Sequence, residues 1–462
     1  MLSSELLQLL RQSRVVRGAD LLTRLQSDRP TISRATMMRM VKGLGEQIVV
    51  GGAARRTSYA ARRAIRGNWL SLPLYQIDQQ GRGSQVATLD PIYPNGCLLK
   101  SNETFEWPLI EDMRDGWFPG LPYPLDDMRP QGFLGRHFAR THAALFQVPE
   151  DPTRWGEDDA LAVLSIMGAD TPGNLILGET AYRRYLQQVQ IGYLPINEDQ
   201  LLPSYLSHAT EAMEHGVADS SAGGEFPKFT TCRMQEGKPL HVIVKFSGND
   251  QTPDVLRWSD LLVCEHIALK TINDTLPCLA SKSTILQTGQ RTFLEVQRFD
   301  RHGESGRSAI CTWSAIEAAL FGIAGSSWIT GGQRLLKEGL ISATTFQHIS
   351  LLWYFGKLIG NTDMHEGNLS FKPSSDKGML ELAPAYDMLP MLYAPVRGVE
   401  IPQKIFTPEL PLPDEVANWH SAAKAAELFW MSAADDKRIS HEFRNCCREN
   451  GMVLATTLRK FF

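Results

Sequence analysis

The 462-residue sequence predicts an α+β fold in two lobes, preceded by a small helical module. Three observations predict it. The first 70 residues combine three helical patterns with a local excess of nine positive charges. Residues 69–299 hold many short β-like runs broken by Gly, Pro and Asn. Residues 312–350 and 413–460 read as helices around one polar stretch at 354–390.

The length exceeds what one core supports. Four parts are expected: 1–67, 68–150, 151–310 and 311–462. Composition is that of a globular chain, 43% hydrophobic and 21% charged, which excludes a disordered one. Net charge is −4, so the basic start is attached to an acidic remainder. No run reaches 18 apolar residues and the start lacks a signal-peptide core. A cytoplasmic protein without a membrane partner is expected. Cys97, Cys232, Cys264, Cys278, Cys311, Cys446 and Cys447 are scattered, with no C-x-x-C pair. They predict buried free thiols, not a disulfide frame or a zinc site.

Residues 3–13 carry Leu6, Leu7, Leu9 and Leu10 at helical spacing, and a second helix is expected over 18–26. After a Pro30 turn, Ser33 is the expected N-cap of a third helix over 34–42. A strand over 48–50, a Gly51-Gly52 turn and a returning strand over 55–59 follow. Three helices and a basic hairpin make a winged helix-turn-helix, whose usual partner is double-stranded DNA. Arg34, Thr36 and Arg39 open the recognition helix. Arg55, Arg56, Arg62, Arg63 and Arg66, on or after the wing, are expected to contact phosphates. No carboxylate cluster for a nuclease metal occurs in this region.

From 69 to 150, β-like pieces at 69–77, 85–89 and 97–99 precede a Pro- and aromatic-rich scaffold around 117–124. A strand is expected at 175–177. Residues 219–231 form a Ser/Gly loop running into an alternating strand. Through Gly223 and Gly224 its backbone can approach phosphate oxygens, although taken alone the loop reads better as a plain hairpin turn. The apolar strand at 241–246 carries Lys245 near its end, and Glu265 follows on a helix over 258–272. A strand Lys and a helix Glu form the ion pair that positions nucleotide phosphates in protein kinases. Residues 293–301 read as a strand and connector, where an adenine finds main-chain partners.

In the 354–390 stretch an apolar helix ends at Ile359-Gly360. Asp363 is followed five positions on by Asn368, and nineteen later by Asp387. Asp and Asn also punctuate ordinary loops. Their order here, after the strand Lys and helix Glu, is that of phosphoryl-transfer sites of the protein-kinase type. Asp363 would take the hydroxyl proton, and Asn368 and Asp387 would offer oxygens to Mg²⁺ beside ATP.

Gly360–Ser370 (GNTDMHEGNLS), the Pro-Ala-Tyr-Asp ending at Asp387, the Arg-Phe-Asp-Arg ending at Arg301 and the 222–228 loop together resemble the HipA family of serine/threonine kinase toxins. The resemblance covers about residues 100–440. The attached winged helix is similar to the YjjJ-type members. The resemblance implies a two-lobed protein-kinase-like (HipA-like) fold. It implies Asp363 as base, Asn368 and Asp387 as metal ligands, and Lys245 on ATP phosphates. Gln297 to Phe299 become the adenine-side connector, His365 joins the nucleotide-side set, and Ser221 becomes an autophosphorylated loop serine. The loop is one residue longer than the family's S-G-x-Q-P-K form, and Gln297 stands where Glu is common. A protein substrate is implied, aminoacyl-tRNA synthetases being family examples, together with an antitoxin. A winged helix commonly acts as a dimer, which predicts a homodimer. Two other functions fit the residues: a DNA-binding regulator whose kinase fold senses nucleotide, and a small-molecule kinase sharing the Asp-x₄-Asn spacing.

Overall fold

The computed structural model describes residues 2–102, 105–192, 194–215, 226–288, 291–376, 378–396 and 400–461. It divides into two compact units, Met1–Arg129 with Ala139–Ile191, and Pro130–Phe138 with Gly192–Phe462.

The first unit opens with α1 (Leu2–Ser13), β1 (Val16–Arg17), α2 (Gly18–Asp28) and α3 (Arg34–Leu44). Strands β2 (Ile48–Gly51) and β3 (Ser58–Ala61) complete an antiparallel sheet ordered β1-β3-β2. Ser33 caps α3 as expected, its hydroxyl accepting the Thr36 N–H at 3.2 Å. Leu6, Leu10, Leu21, Leu25, Met37 and Met40 close the helical core, as their spacing requires. Three helices and a small antiparallel sheet thus follow in the order expected for a winged helix-turn-helix. Two details differ from expectation. β1 is too short to carry a periodic signal. The returning strand starts at Ser58, because Ala54–Arg56 form a 3₁₀ turn that places Arg55 and Arg56 at the tip.

A five-stranded sheet follows in the same unit. It is built from β4 (Leu72–Ile77), β5 (Gly83–Pro91), β6 (Cys97–Ser101), β7 (Trp117–Phe118) and β8 (Leu175–Leu177), ordered β7-β6-β5-β4-β8. Short α4 (Tyr123–Asp126) and α5 (Gly132–Phe146) lead to α6 (Glu157–Met167), and α7 (Glu179–Ile191) follows β8. β8 pairs with β4, so the expected boundary at 150/151 falls inside this unit.

No linker separates the wing from this sheet. Val49 and Ala60 of the wing pack with Ile92, Leu98 and Trp117 in one buried cluster. Arg62 donates to Asp90 at 2.6 Å and to the Glu46 carbonyl at 2.8 Å. This corrects the expectation that Arg62, Arg63 and Arg66 contact DNA phosphates. Arg63 pairs with Glu157 at 2.7 Å, and Arg66 with Asp159 at 3.0 Å. Partners far along the chain neutralise all three, which local charge counting does not register.

The second unit begins with α8 (Leu201–His215). A four-stranded antiparallel sheet follows, ordered β11-β12-β10-β9, from β9 (Lys228–Gln235), β10 (Lys238–Phe246), β11 (Ser283–Thr288) and β12 (Arg291–Gln297). Helix α9 (Pro253–Thr275) lies between β10 and β11 in sequence. Val242, Val244 and Phe246 pack with Tyr205 and Ala209 of α8. Their odd-numbered neighbours, including Lys245, therefore face the other side of the sheet.

The remainder is helical. Hairpin β13 (Arg301–His302) and β14 (Gly306–Arg307) leads to β15 (Cys311–Thr312), α10 (Trp313–Phe321), α11 (Trp328–Lys337) and α12 (Ala343–Leu358). β16 (Ser370–Pro373) and β17 (Leu380–Leu382) form a three-stranded sheet with β15, and α13 (Val416–Asp435) and α14 (His441–Phe461) close the lobe. The fold is α+β, two-lobed and protein-kinase-like. All seven cysteines are free, and all but half-buried Cys446 are buried. Among the described residues no helix is long and apolar enough to cross a membrane.

Burial opposes Asp90 ionisation, but hydrogen bonds from Ser71 and Lys100 and the Arg62 charge outweigh it and lower its pKa. A depressed carboxyl stabilises the fold above its unfolded value, and that contribution is lost as pH falls through the folded value. Asp90→Ala is therefore expected to lower unfolding free energy by about 3–5 kcal/mol at pH 7, since it strands buried Arg62. Urea denaturation checks this, and the gap between the two proteins should narrow below about pH 4.

Candidate active site

Lys245 stands near the end of β10, on the side that meets α9. Its ammonium donates to both Glu265 oxygens at 2.7 Å and to Asp387 Oδ1 at 2.5 Å. Lys245 is 6% exposed and Glu265 0%. Burial lowers the Lys245 pKa, but the carboxylates of Asp387 and Glu265 outweigh it, so the ammonium titrates above its ordinary range. Burial raises Glu265 against the pull of Lys245. Asp387 is held below the usual carboxylate range, because Lys245 and Lys228 together overcome its own desolvation. Lys228, missed as a single residue in the sequence, lies directly across the strand pair from Lys245.

Asp387 follows β17 through an extended segment in which Ala385 bridges Ala280. Its φ is +55°, a left-handed conformation that Asp tolerates better than most residues. Asn361 holds it there. The Asn361 side-chain N–H donates to the Asp387 carbonyl at 3.2 Å, and its oxygen accepts the Asp363 N–H at 3.0 Å. One buried amide thus ties both acidic segments. Only its neighbourhood in the motif hinted at this, since a turn Asn has many local uses.

Asp363 is exposed at the start of a loop closed by Asn368, whose side-chain N–H donates to the Asp363 carbonyl at 2.8 Å. That bond commits the nitrogen and leaves Asn368 Oδ1 as the atom for a cation. His365 accepts the Gly367 N–H at 3.0 Å, capping the 3₁₀ turn Glu366–Asn368, and it helps lower the Asp387 pKa. The loop is backed by α11, where the Trp328 indole donates to the His365 carbonyl at 3.1 Å.

At the connector, the Gln297 N–H donates to Lys282 O at 2.8 Å and the Arg298 N–H to His241 O at 2.9 Å. The expected main-chain partners for an adenine are therefore not those two amides. Phe299 is placed by stacking on Tyr386, with centroids 6.2 Å apart. The expected roles of Ser221, Gly223 and Gly224 fall outside the described residues.

A hard divalent cation fits one Asp and one amide oxygen beside bound phosphates. The donor set of Asp387 and Asn368 fits that requirement by its chemistry.

In the first unit, Arg34 and Arg39 are exposed on α3, and Thr36 is half-buried with its hydroxyl 3.0 Å from that of Ser33. Arg55 and Arg56 are exposed at the wing, Arg56 3.2 Å from Asp115.

Residues 69–186 match the family model of the YjjJ-like toxin middle domain, and residues 220–449 that of the HipA-like C-terminal domain. Toxin YjjJ of Escherichia coli strain K12 is 35% identical over 422 residues, covering 91% of this chain and 92% of that protein. A chain of the Shewanella oneidensis MR-1 toxin–antitoxin complex of HipA, HipB and operator DNA shares the fold. Its TM-score is 0.51 at 15% identity, covering 84% of this chain and 97% of that one.

Asn361→Ala removes both ties. The Asp363 amide is expected to exchange hydrogen roughly tenfold to a hundredfold faster, the equivalent of about 1–3 kcal/mol of local stability, with little change in global unfolding. Amide exchange read by mass spectrometry checks this.

Proposed function

The chain belongs to the HipA-like toxins, in their YjjJ-like group, and from that premise we propose that it is an ATP- and Mg²⁺-dependent protein serine/threonine kinase with its own DNA-binding domain. The observation that carries this reading is the buried Lys245, bonded at once to Glu265 and Asp387. Few arrangements other than phosphate positioning call for a cation held between a helix carboxylate and a loop carboxylate beside an Asp-x₄-Asn loop.

In this reading Lys245 binds the ATP phosphates, and Glu265 holds the Lys245 side chain in place. Asp387 and Asn368 hold Mg²⁺. When bound, the metal neutralises charge on the phosphate oxygens. Asp363 accepts the proton of the attacking protein hydroxyl, and its exposure leaves room for a protein substrate. Phe299 borders the adenine side, and His365 shapes the loop between base and metal ligand. Gly223 and Gly224 approach the phosphates, and Ser221 is the site of autophosphorylation. The biological outcome is growth inhibition, through a substrate such as an aminoacyl-tRNA synthetase and held in check by an antitoxin.

Arg34, Thr36, Arg39, Arg55 and Arg56 form the DNA-facing surface, with the protein acting as a homodimer. The related Shewanella complex contains operator DNA together with HipB. Here the winged helix would reach DNA directly. Because it shares a buried cluster with the following sheet, DNA occupancy is a property of the whole first unit. The same face supports a second reading, a DNA-binding regulator in which the kinase fold senses nucleotide.

Asp363→Ala is expected to reduce phosphate transfer from labelled ATP to protein by about 10²–10⁴-fold. Asp387→Ala is expected to abolish Mg²⁺-dependent ATP binding in calorimetry. Equal labelling by wild type and Asp363→Ala would sink the kinase reading and leave the regulator. For DNA, Arg34→Ala with Arg39→Ala in the full chain is expected to weaken binding to a duplex from its own promoter region. The salt dependence of binding should flatten by about one unit for each phosphate no longer neutralised.

A further inference from the structure

The second unit holds a cavity of about 350 Å³ apart from the Lys245 cluster, walled by α9 and the segment leading into β11. Its lining includes His266, Lys270, Ser281, Lys282 and Ser283. Neither lysine has an ion pair among the described residues. The His266 Nδ1 lies 2.9 Å from Ser283 Oγ, which leaves Nε2 for another partner. The Ser281 hydroxyl is buried without a hydrogen-bond partner. A buried polar atom of this kind calls for an explanation.

Two acids also line the cavity, but one is already neutralised. The Glu295 carboxylate accepts two Arg233 N–H groups at 2.7 and 2.6 Å and the Tyr205 hydroxyl at 2.7 Å. Asp274 is exposed. Two ammonium groups, hydroxyls and an imidazole then outweigh one exposed carboxylate. This chemistry selects an anion with several oxygens, and the volume suits a small phosphorylated molecule.

The cavity is joined to Asp387 through the backbone. The Ser281 N–H donates to the Ala385 carbonyl at 2.9 Å, and the Ala385 N–H donates to Leu279 O at 2.8 Å. Ala385 stands two residues before Asp387. A ligand that moves the Ser281–Lys282 segment therefore pulls on the segment that presents Asp387.

We propose that this cavity binds a small phosphorylated molecule through Lys270 and Lys282 and changes the affinity for Mg·ATP by repositioning Asp387. The coupling rests on the reading of Asp387 as a metal ligand, whereas the anion site does not.

The test uses full-length protein and inorganic pyrophosphate as probe. Calorimetry without Mg²⁺ compares wild type with Lys270→Ala/Lys282→Ala, whose exposed positions spare the fold. Binding about tenfold weaker or more in the double variant is expected. Affinities within twofold of each other, or no binding to wild type, would overturn the site. Mg·ATP is then titrated with and without pyrophosphate. Competition at the nucleotide site acts equally in both proteins, so an additional shift of about fivefold or more in wild type alone is the signature of coupling. The same shift in both would overturn the coupling. A wild type that binds pyrophosphate but never Mg·ATP would count against the kinase reading and leave the anion site standing.

Discussion

One buried cation organises the second unit. Lys245 is removed from water, and only the two carboxylates that meet it make that tolerable. Glu265 belongs to α9 and Asp387 to the segment after β17, so the ammonium pulls a sheet, a helix and a loop to one point. The arrangement leaves an extra negative charge close by, and Lys228 across the strand lies where it tempers that excess. In the proposed kinase reading, that charge is what a further cation would meet.

Around that point the backbone is held by amides. Asn361 and Asn368 each use a side-chain N–H on a carbonyl, fixing Asp387 and Asp363. Asn361 also receives the Asp363 amide, which couples the two acidic segments through a single side chain. Tyr386 adds a second brace, its hydroxyl donating to the Gly367 carbonyl at 2.9 Å while its ring meets Phe299 of the connector. The loop carrying Asp363 and the segment carrying Asp387 are therefore one mechanical assembly.

The first unit is governed by a different constraint. Arg62, Arg63 and Arg66 resemble surface charge when read along the chain, yet each is answered by an acid from the following region. The wing is welded to the five-stranded sheet by those pairs and by the Val49–Trp117 cluster. Arg34 and Arg39 of α3 and Arg55 and Arg56 at the wing tip stay exposed.

Much of the fold and site was legible in order and spacing alone. Lys245, Glu265, Asp363, Asn368 and Asp387 could be named because each sits in or beside an element whose periodicity is strong. The three helices and cap of the winged module could be named for the same reason. What sequence could not supply was pairing between distant residues. The β8–β4 pairing that extends the first unit to residue 191, the loss of the Gln297 and Arg298 amides to Lys282 and His241, and the role of Asn361 as a double tie all depend on which segments meet. Local pattern is set by side-chain chemistry and period. The partners of a charge or an amide are set by packing, and only the tertiary structure decides them.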